Sequence, residues 1–224
     1  MISNENFNQL TSLLQEKQVT LVAVSKTKSI TEIKSLYDLG QRDFGENYVQ
    51  ELIEKQQQLP KDIRWHFIGH LQTNKVKFIT PFISMIQSVD SFKLLKEINK
   101  HAIKEKRVID ILLQVHIARE ETKFGMDESE LNDLFESPDV MNEMKNIRIS
   151  GFMGMASFTS DSAEVKKEFN YLKKLYDHYK MIKSENTAFS ILSMGMSSDY
   201  ALAVDEGSSM VRIGSLLFGE RTSI

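Results

Sequence analysis

The sequence predicts a single (β/α)₈ TIM barrel with an extra amino-terminal helix, and three observations carry that prediction. Short apolar or β-branched runs alternate with longer charged segments of helical period, which is the grammar of βαβ units. Eight such runs can be counted, the number a closed barrel needs. Several of them, notably Leu21-Val22-Ala23-Val24 and Ile109-Asp110-Ile111-Leu112-Leu113, are almost continuously apolar, as strands buried on both faces must be. With 224 residues, 41% of them hydrophobic, the chain can build one large core and sits near the lower limit for an α/β barrel. One domain over residues 1–224 is therefore expected. An open doubly wound sheet would show the same alternation, and the count of eight favours closure.

In order, an amphipathic helix is expected over residues 4–17. Strands follow over 20–25, 42–45, 65–69, 85–89, 109–117, 147–155, 189–193 and 210–213, each leading into a helix or a helix-opening turn. Pro60, Pro81 and Pro138 fall between these elements, and no Gly/Ser-rich linker or charge block divides the chain.

Composition removes several function classes. The formal net charge of −3, from 28 basic and 31 acidic residues, gives no basic face for nucleic acid or an anionic membrane surface. The opening residues lack the apolar core of a signal peptide and no run reaches bilayer length, so a cytoplasmic protein is expected. With no cysteine, thiolate nucleophiles, disulfides and sulfur-ligated metals are excluded, and covalent chemistry must use another nucleophile.

A barrel builds its site where strands end at their carboxyl side. There the sequence offers Val24-Ser25-Lys26-Thr27-Lys28, Phe44-Gly45-Glu46-Asn47-Tyr48, Gly151-Phe152-Met153-Gly154-Met155, Gly195-Met196-Ser197-Ser198-Asp199 and Gly214-Ser215, so glycines, small hydroxyls and one lysine converge on one mouth. Lys26 follows a buried strand, where burial would lower its pKa toward that of an imine-forming amine. It and Lys28 read equally as solvated loop lysines. The turns at 195–199 and 214–215 combine glycine, hydroxyl donors and a helix start, the chemistry that suits a phosphate, although serine caps give ordinary turns the same look. Arg212 lies inside an apolar strand and needs a partner, either a heteroaromatic nitrogen or a carboxylate such as Glu46. His66 reads as a satisfied core histidine or a catalytic one, and Asn47 as a helix cap or a ligand contact. The methionines of 151–155 are economically barrel filling.

Together and in order, Ala23-Val24-Ser25-Lys26-Thr27-Lys28, Phe44-Gly45-Glu46-Asn47-Tyr48-Val49-Gln50-Glu51, Trp65-His66-Phe67-Ile68-Gly69-His70-Leu71-Gln72-Thr73-Asn74-Lys75, Gly195-Met196-Ser197-Ser198-Asp199 and Val211-Arg212-Ile213-Gly214 closely resemble the pyridoxal 5′-phosphate (PLP) homeostasis protein family. That family is similar to the N-terminal barrel of bacterial alanine racemase, and the resemblance runs from about residue 20 to about residue 219. It implies a fold-type III PLP barrel in which Lys26 carries the cofactor as a Schiff base and Lys28 is a bystander. It further implies that Met196, Ser197, Gly214 and Ser215 hold the phosphate, that Arg212 faces the pyridine nitrogen, and that Asn47 and His66 neighbour the ring. Two positions depart from the pattern: Ser215 stands where threonine is common, keeping the hydroxyl, and His70 where proline is common, which is expected to loosen that turn.

Relatives that racemise amino acids continue into a second domain supplying a catalytic tyrosine, whereas this sequence stops at Ile224. Racemisation needs two acid/base groups, and a guanidinium at the pyridine nitrogen would oppose its protonation. The expectation is a non-catalytic PLP carrier, a monomer or small homodimer, with PLP-dependent apo-enzymes as recipients. The alternatives are a weak PLP-dependent racemase or decarboxylase, a Schiff-base aldolase acting on a phosphosugar, and an interaction protein using the barrel as a scaffold.

Overall fold

Strands that are apolar on both faces must be covered on both, and the chain achieves this by closing its sheet on itself. In this computed structural model, which describes residues 4–120, 123–137, 143–182 and 184–219, eight parallel strands pair in sequence order and the last returns to the first. They are β1 (Thr20–Val24), β2 (Asp43–Glu46), β3 (Arg64–Phe67), β4 (Met85–Val89), β5 (Ile109–Val115), β6 (Ile147–Gly154), β7 (Thr187–Ser193) and β8 (Met210–Ile213). The expected barrel is found, with β4 and β8 at the expected bounds. The other strands differ at their ends by one or two residues, the scale on which frayed ends are ambiguous.

Around the strands lie α1 (Asn4–Glu16), α2 (Ile30–Asp38), α3 (Val49–Gln58), α4 (Val76–Ile79), α5 (Phe92–Lys104), α6 (Glu128–Phe135), α7 (Ser162–Tyr179), α8 (Tyr200–Asp205) and α9 (Ser215–Phe218). Local chemistry sets several starts. Ser29 and Glu32 cap α2 reciprocally, as Asp127 and Glu130 cap α6, each satisfying backbone N–H groups that have no partner within the helix. Pro60 and Pro81 lie outside strands and helices; Pro138 is outside the described residues. Among the described residues, no helix is long and apolar enough to cross a membrane.

The core has two shells. Outside the strands, Phe44, Trp65, Phe67, Phe152 and Phe169 pack beneath the helices, each buried to 2% exposure or less. Inside, Val22, Met85, Leu112, Met153 and Met210 fill the barrel, with Met155 and Ile191 against them. Unbranched methionines suit this tapering space because their three torsions let them fill irregular gaps. Toward the amino ends of the strands, bidentate pairs hold Arg64 to Asp43 and Arg148 to Asp110.

Gly151 corrects one expectation. It does not belong to the mouth but to a register shift within β6, where its φ is 145° and a Cβ would stand 1.8 Å from the Ile191 carbonyl oxygen. Its role is to let two backbones touch.

Candidate functional site

At the carboxyl ends of β1, β7 and β8 a cavity of about 550 Å³ is lined by Lys26, Met196, Ser197, Arg212, Gly214 and Ser215. These six predicted residues come from segments nearly 190 positions apart and meet because β8 pairs with β1, Ala23 lying opposite Ile213. Lys26 is half-buried at the rim rather than buried as expected.

Two clamps hold the turn that carries Lys26. On one side Ser25 Oγ donates to Glu46 Oε1 (2.6 Å) and the Ser25 carbonyl accepts from Lys55 Nζ (2.7 Å). On the other, the Thr27 N–H donates to Glu51 Oε1 at 2.6 Å, holding Thr27 at a φ of 65° that a β-branched residue seldom adopts. Lys55 joins the two, donating also to Glu46 (2.8 Å) and Glu51 (2.6 Å). All three ammonium protons are used, which is what allows a lysine to sit at 4% exposure. Burial pushes the Glu46 carboxyl above its ordinary pKa, against the opposing pull of Lys55 and Ser25.

Lys28 also lines the cavity but is engaged by other partners. It pairs with Glu32 (3.5 Å), donates to the Phe218 carbonyl (3.3 Å) and lies over the Phe218 ring, tying this turn to α9.

The turns after β7 and β8 are joined to each other, the Gly214 N–H donating to Ser197 Oγ at 3.2 Å. Asp199 accepts the Met196 N–H at 2.6 Å, and burial raises its pKa, partly offset by that bond and by Arg212. Gly195 serves packing rather than ligand approach: its φ is 96°, and a Cβ would meet that of Ala203 on α8 at 2.6 Å.

Arg212 does not pair with Glu46, which Ser25 and Lys55 already occupy. Its guanidinium donates to Ser193 Oγ (2.6 Å) and to the Gly154 carbonyl (3.0 Å), and burial lowers its pKa to about 10 despite Asp199 nearby. His66 does not line the cavity. It is a satisfied core histidine, Nε2 facing Asp43 Oδ1 at 3.1 Å and Nδ1 facing the Gln87 amide at 3.0 Å. Against the opposing effect of burial, the first of these bonds and the Arg64 pair hold the Asp43 carboxyl at about 2. Asn47 does not cap α3, whose N-cap is Tyr48, and it lines a separate groove with Tyr48, Phe67 and His70. His70, where proline is common, lies 3.0 Å from Asp90 and stacks on Phe124.

Sequence reasoning missed Lys55, Glu51, Gln87 and Ser193. The i, i+4 spacing of Glu51 and Lys55 was a signal, but it reads as an exposed helix pair until Glu46 is placed beneath it. Gln87, polar within the wholly buried β4, was a clearer one.

The fold and this mouth define a parallel-barrel protein with a lysine after its first strand and hydroxyl-bearing turns after its last two. The model of the alanine racemase N-terminal domain matches residues 3–222, and a pyridoxal phosphate homeostasis protein of Aquifex aeolicus is 40% identical over 207 residues, covering 92% of this chain and 89% of that protein. The chain belongs to the pyridoxal phosphate homeostasis protein family, within the alanine racemase N-terminal domain family. PipY of Synechococcus elongatus PCC7942, solved with PLP bound, superimposes with a TM-score of 0.85 at 34% identity, covering 96% of this chain and 99% of PipY. Alanine racemase of Bartonella henselae shares the fold at a TM-score of 0.71 and 15% identity, covering 99% of this chain and 62% of the racemase.

Proposed function

We propose that this protein binds PLP through Lys26 and acts in PLP homeostasis as a cytoplasmic carrier, retaining the cofactor reversibly for PLP-dependent apo-enzymes. The observation that carries the reading is the convergence of Lys26, Arg212 and two hydroxyl-bearing turns on one cavity, whose volume of about 550 Å³ is in the range of small-molecule sites. The naming of relatives as PLP homeostasis proteins and the PLP bound to PipY support it.

When bound, PLP supplies an aldehyde that an amine can take up as an imine and a pyridine ring that can accept electrons. The residues present fit it. Lys26 supplies the amine at the rim. The Ser197 and Ser215 hydroxyls are small donors suited to a phosphate, Ser197 keeping its own proton to give because its oxygen accepts the Gly214 N–H. Arg212 has only protons to offer, so against a ring nitrogen it favours the unprotonated form and weakens the electron sink. That arrangement suits retention better than turnover. Direct contacts from Asn47 and His66 form no part of this reading.

Protein reconstituted with PLP is expected to show a visible absorption band that Lys26→Ala abolishes; a band retained in that variant would overturn the site. Incubation with amino acids in D₂O separates carrier from enzyme. Efficient exchange of α-protons favours a weak racemase, and a phosphosugar trapped on Lys26 by borohydride in place of PLP favours an aldolase.

A further inference from the structure

A row of polar side chains crosses the barrel interior from Arg212 at the mouth to Asp43 at the amino end of β2. Arg212 donates to Ser193 Oγ (2.6 Å), Ser193 donates to Gln87 Oε1 (2.7 Å), the Gln87 amide meets His66 Nδ1 (3.0 Å), and His66 Nε2 meets Asp43 Oδ1 (3.1 Å). Four strands besides β8 contribute, and every member is buried to 9% exposure or less. In surroundings lined by Val22, Met85, Leu112 and Met153, an apolar filling would be the simpler solution, so this row needs a reason.

Its two ends have fixed polarity. A guanidinium can only donate and an ionised carboxylate can only accept. The His66 nitrogen facing Asp43 therefore carries the proton, which leaves Nδ1 bare in the neutral ring. Gln87 must then present N–H to it, and the second amide N–H points at Met210 Sδ (3.2 Å). The Gln87 oxygen is left for the Ser193 hydroxyl, whose own oxygen accepts from Arg212. Every proton in the row points from Arg212 toward Asp43, and aligned hydrogen bonds strengthen one another. A proton added at Nδ1 would force Gln87 to turn over and break the alignment.

We propose that Ser193, Gln87 and His66 are positioning residues for Arg212, linking its buried cation to the distant Asp43 carboxylate so that the guanidinium is held in the cavity wall. Among the described residues no carboxylate hydrogen-bonds to it, Asp199 acting only from nearby, and its bonds run backward into the barrel to Ser193 and Gly154. This rests on the PLP reading for the identity of what Arg212 contacts, whereas the proton order is a property of the chain itself.

The test compares two carboxylates at the base of the barrel, one on the row and one off it. In PLP-loaded protein, Asp43→Asn and Gln87→Met are expected to shift the visible band and speed PLP release about tenfold, roughly one charge-assisted hydrogen bond. Asp110→Asn, which breaks the comparable Arg148 pair, is expected to change neither. Unchanged bands and release rates in both Asp43→Asn and Gln87→Met would overturn the proposal, as would Asp110→Asn having the same effect as Asp43→Asn. Gln87→Met keeps the test open if Asp43→Asn fails to fold. ¹⁵N NMR of the unliganded protein reads the proton order independently: His66 protonated at Nε2 alone is expected at pH 7, and an Nδ1–H ring or an imidazolium would overturn it. No visible band in wild-type protein would defeat the PLP reading while leaving the NMR result to decide the row.

Discussion

Lys55, behind the turn that carries Lys26, and Arg212, in the cavity wall, are two buried cations accommodated in opposite ways. Lys55 meets two carboxylates and a carbonyl, so its charge is met locally and nothing is left to offer a ligand. Arg212 bonds a hydroxyl and a carbonyl, and the carboxylate at the end of its hydrogen-bonded row lies at the far end of the barrel. The first arrangement makes a rigid support; the second keeps a cation facing a cavity. The contrast separates residues that build the site from those available to use it.

The largest expected effect breaks the first arrangement. Lys55→Met leaves Glu46 buried without its counter-charge and is expected to cost about 3–5 kcal/mol in urea unfolding. A cost below about 1 kcal/mol would mean that Lys55 is no keystone. Next comes the far end of the Arg212 row. Asp43 has a folded pKa of about 2 against an ordinary 3.8, so the unfolded chain takes up this proton first on acidification. The stabilisation is present above about pH 4 and is lost as pH falls toward 2; Asp43→Asn should remove about 2 kcal/mol of it and flatten the acid limb measured by circular dichroism. Arg212→Met is expected to cost less, about 1 kcal/mol, because a buried cation is exchanged for an apolar chain and mainly the Gly154 carbonyl loses a partner. A loss as large as that of Lys55→Met would erase the distinction. Smallest is Lys28→Ala, expected to stay within about 1 kcal/mol of wild type in thermal melts and to keep the visible band, since its ion pair reaches solvent.

The barrel was legible because strand burial writes itself as apolar runs, and β4 and β8 could be bounded to the residue from these alone. Lys26, Ser197, Arg212 and Gly214 were legible as chemistry at strand ends, and the cavity gathers them. What could not be read was pairing across strands. Arg212 was equally compatible with Glu46 until the register put Lys55 between other partners, and His66 was left between core and catalysis because its neighbours, Asp43 and Gln87, stand 23 and 21 positions away. Gly151 misled for a related reason: a glycine needed for a backbone contact inside a sheet looks in sequence like one needed by a ligand.

The packed inner methionines and the two arginine–carboxylate pairs at the base bear on traffic through the molecule. A barrel filled in this way is a cup and not a pipe. Whatever occupies the mouth must arrive and depart over the same rim, past Phe158, which lines the opening and is 95% exposed. Loading and delivery then compete for one doorway, and a recipient that stations itself there also blocks refilling.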